Sequence, residues 1–200
     1  MKNLPLALVF LPVTDIPAFV GEGQVDLGIT GRDQVAEHEA VTPPTETTGV
    51  EEILNLEFGY CKLQVQVPEK GSITRPEELI GKNIVTNFTN LAEGYFRALE
   101  EKQEEKQSDK AVNGDGKQKL RTNVKYVGGS VEAACALGVA DGIVDLVGMM
   151  SPLHSVHGRR LIRYRIWEDD ASGRSQSNFY GSGNYRYSHK IEAAIRSEAD

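Results

Sequence analysis

The sequence predicts an α/β protein whose sheets are mostly parallel, with helices on both faces, and three observations carry that expectation. Short strand-like runs and amphipathic stretches follow one another along the chain, the order that builds parallel sheets. The early runs, residues 5–11 and Val25–Thr30, are apolar without alternation, as in strands covered on both sides. The stretch GSVEAACALGVADGIVDLV, Gly129 to Val147, opens with Ser and Glu, passes a turn at Gly138 and ends in an apolar run carrying Asp145. That is the layout of a helix start able to cradle an anion, feeding a strand with a carboxylate near its C-terminal end. Open α/β sheets bind ligands beyond those ends.

Taken in order, residues 5–11 are expected to form a buried strand. Asp15 is placed to cap a short helix that tolerates Pro17 in its first turn. Val25–Thr30 gives a second strand ending at Gly31, and Asp33 is expected to cap a helix through Glu39. TPPTETTG, residues 42–49, is a surface loop by composition. Gly59–Pro68 alternates Cys61, Leu63, Val65 and Val67 against Lys62, Gln64 and Gln66, the period of a strand. A short helix starts at Pro76, Lys82–Thr86 is a strand, and Asn90–Glu100 is a helix with an apolar stripe of Leu91, Tyr95, Ala98 and Leu99. Residues 100–119 are dense in charge of both signs and predict a solvated insertion loop. Val124–Val127 resumes as a strand.

The totals narrow the function. Two hundred residues suffice for one large domain or two small lobes. With 22 basic and 29 acidic residues the formal charge is −7, which argues against a nucleic-acid surface. Cys61 and Cys135 lie in apolar surroundings and read as two buried thiols of a reducing compartment. No apolar run approaches the ~20 residues that span a bilayer, and the opening residues make a poor signal peptide. A soluble, cytoplasmic protein without membrane association is the expectation. His154 and His157 with Cys135 lack the spacing of a zinc site, so no resident metal is expected.

Four separated segments, FLPVTDIPAFVGEGQVDLGITGRDQV, FGYCKLQVQVP, LIGKNIVTNFTNLAEGYF and GSVEAACALGVADGIVDLV, resemble the fungal form of ATP phosphoribosyltransferase in family order. The resemblance runs from Lys2 to Val147, interrupted by the charged insert. It implies the first step of histidine biosynthesis: N1 of ATP attacks C1 of phosphoribosyl pyrophosphate (PRPP), with Mg²⁺ carried on the substrate, and pyrophosphate leaves. The implied fold has two lobes, like type II periplasmic binding proteins, with the site in the cleft between them. The lobes would be residues 1–58, lacking the family's first strand and helix, and 59–147 with the insertion at 100–119. Implied partners are ATP, PRPP and further copies of the intact family member.

Such chemistry needs two polyanions held in place and a departing diphosphate stabilised, work suited to backbone amides at helix starts. The resemblance places three turns at the substrates: Thr30, Gly31 and Asp33; Thr86, Asn87, Thr89 and Asn90; and Gly129, Ser130, Val131 and Glu132. Asp145 is the expected catalytic carboxylate, and Val147 leads into the loop that holds the 5-phosphate of PRPP.

After Val147 the resemblance stops. The family continues Glu-Ser-Gly-x-Thr; this chain reads GMMSPLHSVHGRR. Read one nucleotide forward, codons for Trp167 to Asn178 can spell a run resembling the family's continuation. Splicing between codons 148 and 165 would restore Glu-Ser-Gly. Residues 148–165 are therefore expected to be a translated intron and the remainder largely out of frame, giving a disordered or poorly packed C-terminal region of 148–200. The RNA-binding look of GSGNYRYSHK is then accidental. Transcript sequence across this junction in the written frame, with no splice option, would contradict that origin. The expected consequence is an enzyme impaired for want of its PRPP phosphate loop. The alternative is a two-lobed small-molecule binding module without chemistry, or a non-catalytic partner of an intact copy.

Overall fold

A computed structural model describes residues 6–107 and 119–148, together with the backbone of 161–165 and 175–182. The chain divides into two compact units, Met1–Gly59 with Gln176–Asp200, and Tyr60–Ser175.

In the first unit, α1 (Ile16–Gly21) carries Pro17 in its first turn, which the fixed φ of proline suits. Pro17 and Val20 turn inward. Asp15 occupies the cap position but makes no side-chain cap. β1 (Leu27–Gly31) lies under this helix. A Cβ on Gly28 would come within 2.7 Å of Ile16 Cγ2 and 2.9 Å of Val20 Cγ2, so only glycine lets the strand approach this closely. α2 (Arg32–Glu39) follows at once. β1 pairs antiparallel with β7 (Ser175–Ser182), Ile29 opposite Phe179. In strand order β7 lies between β1 and β2.

The first expected strand is not one. Residues 6–11 have no regular secondary structure, and Leu8 and Phe10 are 67% and 89% exposed. Apolar composition alone makes no strand; a strand needs a neighbour for its amides and carbonyls. Among the described residues no strand pairs with this run.

β2 (Val50–Pro68) begins nine residues before the expected Gly59. In the second unit its end pairs antiparallel with β5 (Gly142–Gly148) and with β6 (Leu161–Arg165). β3 (Asn83–Thr86) runs parallel to both β4 (Asn123–Tyr126) and β5. The sheet is therefore mixed, its parallel part confined to β4, β3 and β5. A 3₁₀ turn at Pro76–Leu79 stands where the short helix is expected.

Two apolar clusters cover the two faces of this sheet. Leu63, Val65 and Val67 of β2, Ile84 and Val144 meet Phe88, Ala92 and Phe96 at and within the start of α3 (Thr89–Gln107). On the other face Val85 and Ile143 meet Val131, Ala134 and Cys135, around the one-turn α4 (Ala133–Ala136). The buried stripe of α3 is centred on Ala92 and Phe96; Leu91, Tyr95 and Leu99 flank it, and Ala98 is exposed, against expectation. An i, i+4 row from Phe88 continues to Glu100, which is buried.

α3 also runs seven residues into the expected insertion loop. Glu, Lys and Gln are good helix formers, so residues 101–107 extend the helix in water without needing a core. Residues 108–118 lie outside the described residues. So does most of 148–200, with His154, His157 and the Tyr-rich run; within that segment the described stretches are the strands β6 and β7.

Candidate active site

Because β3, β4 and β5 are parallel, their C-terminal ends open at one edge of the second unit. Thr86–Asn90, Gly129–Glu132, and Asp145 with Val147 all lie at that edge. Thr30, Gly31 and Asp33 belong to the first unit.

After β3, Thr86 is fully buried and its Oγ1 accepts from the Phe88 amide at 2.8 Å. Thr86 thus shapes the turn. Asn87 is exposed, Thr89 and Asn90 are half-buried, and the 19-residue α3 starts here with its leading amides at the strand end.

After β4 the Val127 amide donates to Thr86 O at 2.9 Å, tying the second turn to the first. Gly129 and Ser130 are exposed, and Ser130 has φ of 50°, in the left-handed region non-glycine residues seldom enter. Such strain concentrates at ligand-binding turns. Val131 points down into the core and Glu132 points out. The expected helix is a single turn, without a side-chain cap at Glu132. Gly138, at φ of 70°, ends it: its amide donates to Cys135 O at 3.2 Å. Burial, followed by the Asp141 charge, pushes the Cys135 thiol up to about 11, so it is no nucleophile at neutral pH.

Asp145 stands opposite Gln64 of β2, and its Oδ1 accepts from the Leu146 amide at 2.8 Å. Partial burial raises its carboxyl above the ordinary value; the Leu146 bond opposes this and the Glu132 carboxylate adds to the rise. The Glu132 charge thus reaches Asp145 across the strand-end edge. A carboxylate kept costly to ionise beside a second carboxylate is ready to receive a cation or a hydroxyl donor. Among the described residues no group of three or more His, Cys, Asp or Glu gathers as a metal site. Val147, opposite Lys62, carries the strand on past Asp145.

In the first unit Thr30 is buried and donates through Oγ1 to Val13 O at 3.4 Å. Asp33 is not the helix cap: Gly31 holds that position, and Asp33 sits buried in the first turn, accepting from Gln34 Nε2 at 2.7 Å. A Cβ on Gly31 would collide with the Asp33 carboxylate. These three residues form a tight strand-to-helix junction of their own.

Sequence reasoning used Gln64 only as part of the alternation that marks the strand. Gln66 is buried, as is Oε1 of Gln64. Uncharged Gln at both central positions, where a solvent face usually carries Lys or Glu, was the available signal.

Parallel strands ending in polar turns beside a half-buried carboxylate define an open α/β unit. Solved structures share the fold: an ATP phosphoribosyl transferase (HisG:HisZ) complex from Thermotoga maritima, at TM-score 0.59 and 19% identity over 92% of this chain and 71% of that one. The substrate binding protein of an amino acid ABC transporter follows, at TM-score 0.52 and 14% identity over 92% and 69% of the two chains. The ATP phosphoribosyltransferase family model matches residues 12–157. ATP phosphoribosyltransferase of Yarrowia lipolytica is 60% identical over 145 residues, and that of Saccharomyces cerevisiae 52% over 145; each match covers 72% of this chain and 42% of the relative. The chain belongs to the ATP phosphoribosyltransferase family. It spans about two fifths of the length of those relatives. The family match begins ten residues later than Lys2 and reaches ten residues beyond Val147.

Proposed function

We propose that this chain carries the substrate-binding part of an ATP phosphoribosyltransferase, the enzyme that opens histidine biosynthesis. N1 of the adenine forms a bond to C1 of PRPP, the bond from C1 to the diphosphate oxygen breaks, and pyrophosphate leaves with the electron pair. Positive charge develops at C1 as the leaving group departs. The Asp145 carboxylate would stand beside the sugar to offset that charge and to accept from its hydroxyls. The amides at Asn87–Asn90 and Gly129–Glu132 would hold phosphate oxygens. Mg²⁺ would arrive on the substrate diphosphate, and the neighbouring Asp145 and Glu132 fit a cation brought in that way. Thr30, Gly31 and Asp33 would contribute from the first unit. Family membership at 51–60% identity supports this reading, and the polar turns that follow the parallel strands β3 and β4, beside Asp145 on β5, carry it.

The protein would work in the cytoplasm as a homo-oligomer; among the described residues no helix is long and apolar enough to cross a membrane. Without Glu-Ser-Gly after Val147 its turnover would be weak. The test is pyrophosphate release. It should require ATP, PRPP and Mg²⁺ together, and omitting any one should abolish it. Ligand binding with no release under any combination would favour a binding module instead.

A further inference from the structure

Gln64 sits in the middle of the β2–β5 pairing, directly opposite Asp145. Residues so opposed on antiparallel strands project from the same face with side chains adjacent. Leu63 and Val65, with their partners Leu146 and Val144, pack toward α3. Gln64 and Asp145 therefore share the other face, the one over which Val131, Ala134 and Cys135 lie. There Gln64 Oε1 is buried and, among the described residues, has no hydrogen-bond partner. Buried acceptors nearly always have a donor, and one without is costly. Asp145 does not supply it: ionised, its carboxylate only accepts, and its Oδ1 accepts from the Leu146 amide.

We infer that Gln64 contacts the ligand: its Oε1 accepts a hydrogen bond from an O–H or N–H of the molecule bound beside Asp145. Ionised phosphate oxygens cannot serve, since they donate nothing. The inference rests on the functional reading above, which offers two such donors, a hydroxyl of the phosphoribosyl group and the 6-amino group of adenine. Gln64 would then set orientation, turning a sugar or base edge toward the sheet and leaving the phosphates to the backbone amides.

Calorimetric titration of the full chain and of Gln64→Met with ribose 5-phosphate, ATP and inosine triphosphate tests this. The substitution keeps side-chain length and removes the acceptor. At least tenfold weaker binding is expected, with an unchanged or higher melting midpoint; a merely structural glutamine would lower the midpoint and leave affinity alone. A sugar donor shows as a loss for ribose 5-phosphate. An amino donor shows as a loss for ATP that inosine triphosphate does not share. Equal affinities of both proteins for ribose 5-phosphate and for ATP overturn the inference alone. A wild-type chain that binds none of the three overturns the functional reading and this inference with it. Should Gln64→Met not fold, the Gln64 side-chain amide resonances of the wild type decide: they move on saturation with the ligand that binds, and resonances that stay in place overturn the inference.

Discussion

Asp145 illustrates how one residue can be costly to the fold and, in the proposed function, useful to the site. Its folded pKa lies above the unfolded value, through burial first and then Glu132. Below both values the carboxyl is neutral in either state and costs nothing. As pH rises past the unfolded value toward the folded one, the unfolded chain ionises more readily, and stability falls. Asp145→Asn should therefore match the wild type in acid and equal or exceed its melting midpoint at neutral pH. Pyrophosphate release should fall by about 10²-fold or more, as when a group aimed at developing charge is removed. Melting curves across pH and the release assay check both halves; a variant less stable at neutral pH would contradict the account of its environment. Among the candidate site residues, the placement of Asp145 and of the Gly129–Glu132 turn at strand ends was legible in the sequence, because glycines before a Ser-x-Glu and an acid in an apolar run are local signals. The roles of Thr86 and Thr30 were not. Their hydroxyls are engaged by Phe88 and by Val13, contacts fixed by the folded turn or by a segment 17 residues away.

At the scale of elements, the charged insert is anchored at both feet. Glu100 accepts from the Thr122 amide at 2.9 Å and its hydroxyl at 2.8 Å through Oε1, and from the Arg121 amide at 3.0 Å through Oε2. The Arg121 guanidinium lies 3.6 Å from that carboxylate. Burial alone would raise the Glu100 pKa, but the two amides, the hydroxyl and Arg121 together hold it below the ordinary value. The sign is opposite to that of Asp145. This stabilisation is complete above the unfolded pKa of about 4.3 and is lost as pH falls through the folded value. Glu100→Ala strands buried donors, so a loss of roughly 2–3 kcal/mol is expected at neutral pH, shrinking in acid; urea unfolding at two pH values measures it. Charged composition marked this region as solvated and hid the clamp. A buried carboxylate held by backbone amides looks, in one dimension, like any other Glu in EEKQEEKQ. The extra turns of α3 were missed for the same reason, since helix-forming residues without an apolar stripe resemble a loop by composition.

For the molecule as a whole, the element order and the parallel β4–β3–β5 core were readable from hydrophobic period, because each strand and helix there buries a regular face. The mixed character of the sheet was not, since pairing direction depends on which distant strands meet. β2 serves as the antiparallel partner of both β5 and β6, and β7 pairs with β1 across more than 140 positions of sequence. Residues 6–11 show the converse failure: a strand-like run with no strand pairing among the described residues stays largely exposed. Family membership gives this architecture a proposed chemistry, and the site proposed for it is the strand-end edge of the second unit.

The most direct measurement is amide NMR of the full chain titrated with Mg²⁺–PRPP and then ATP. Shifts concentrated at Asn87–Asn90, Gly129–Glu132 and Asp145–Val147 are the predicted result. Saturating ligand that leaves those amides unmoved, or that moves Lys82 and Asp141 at the opposite strand ends instead, would contradict it.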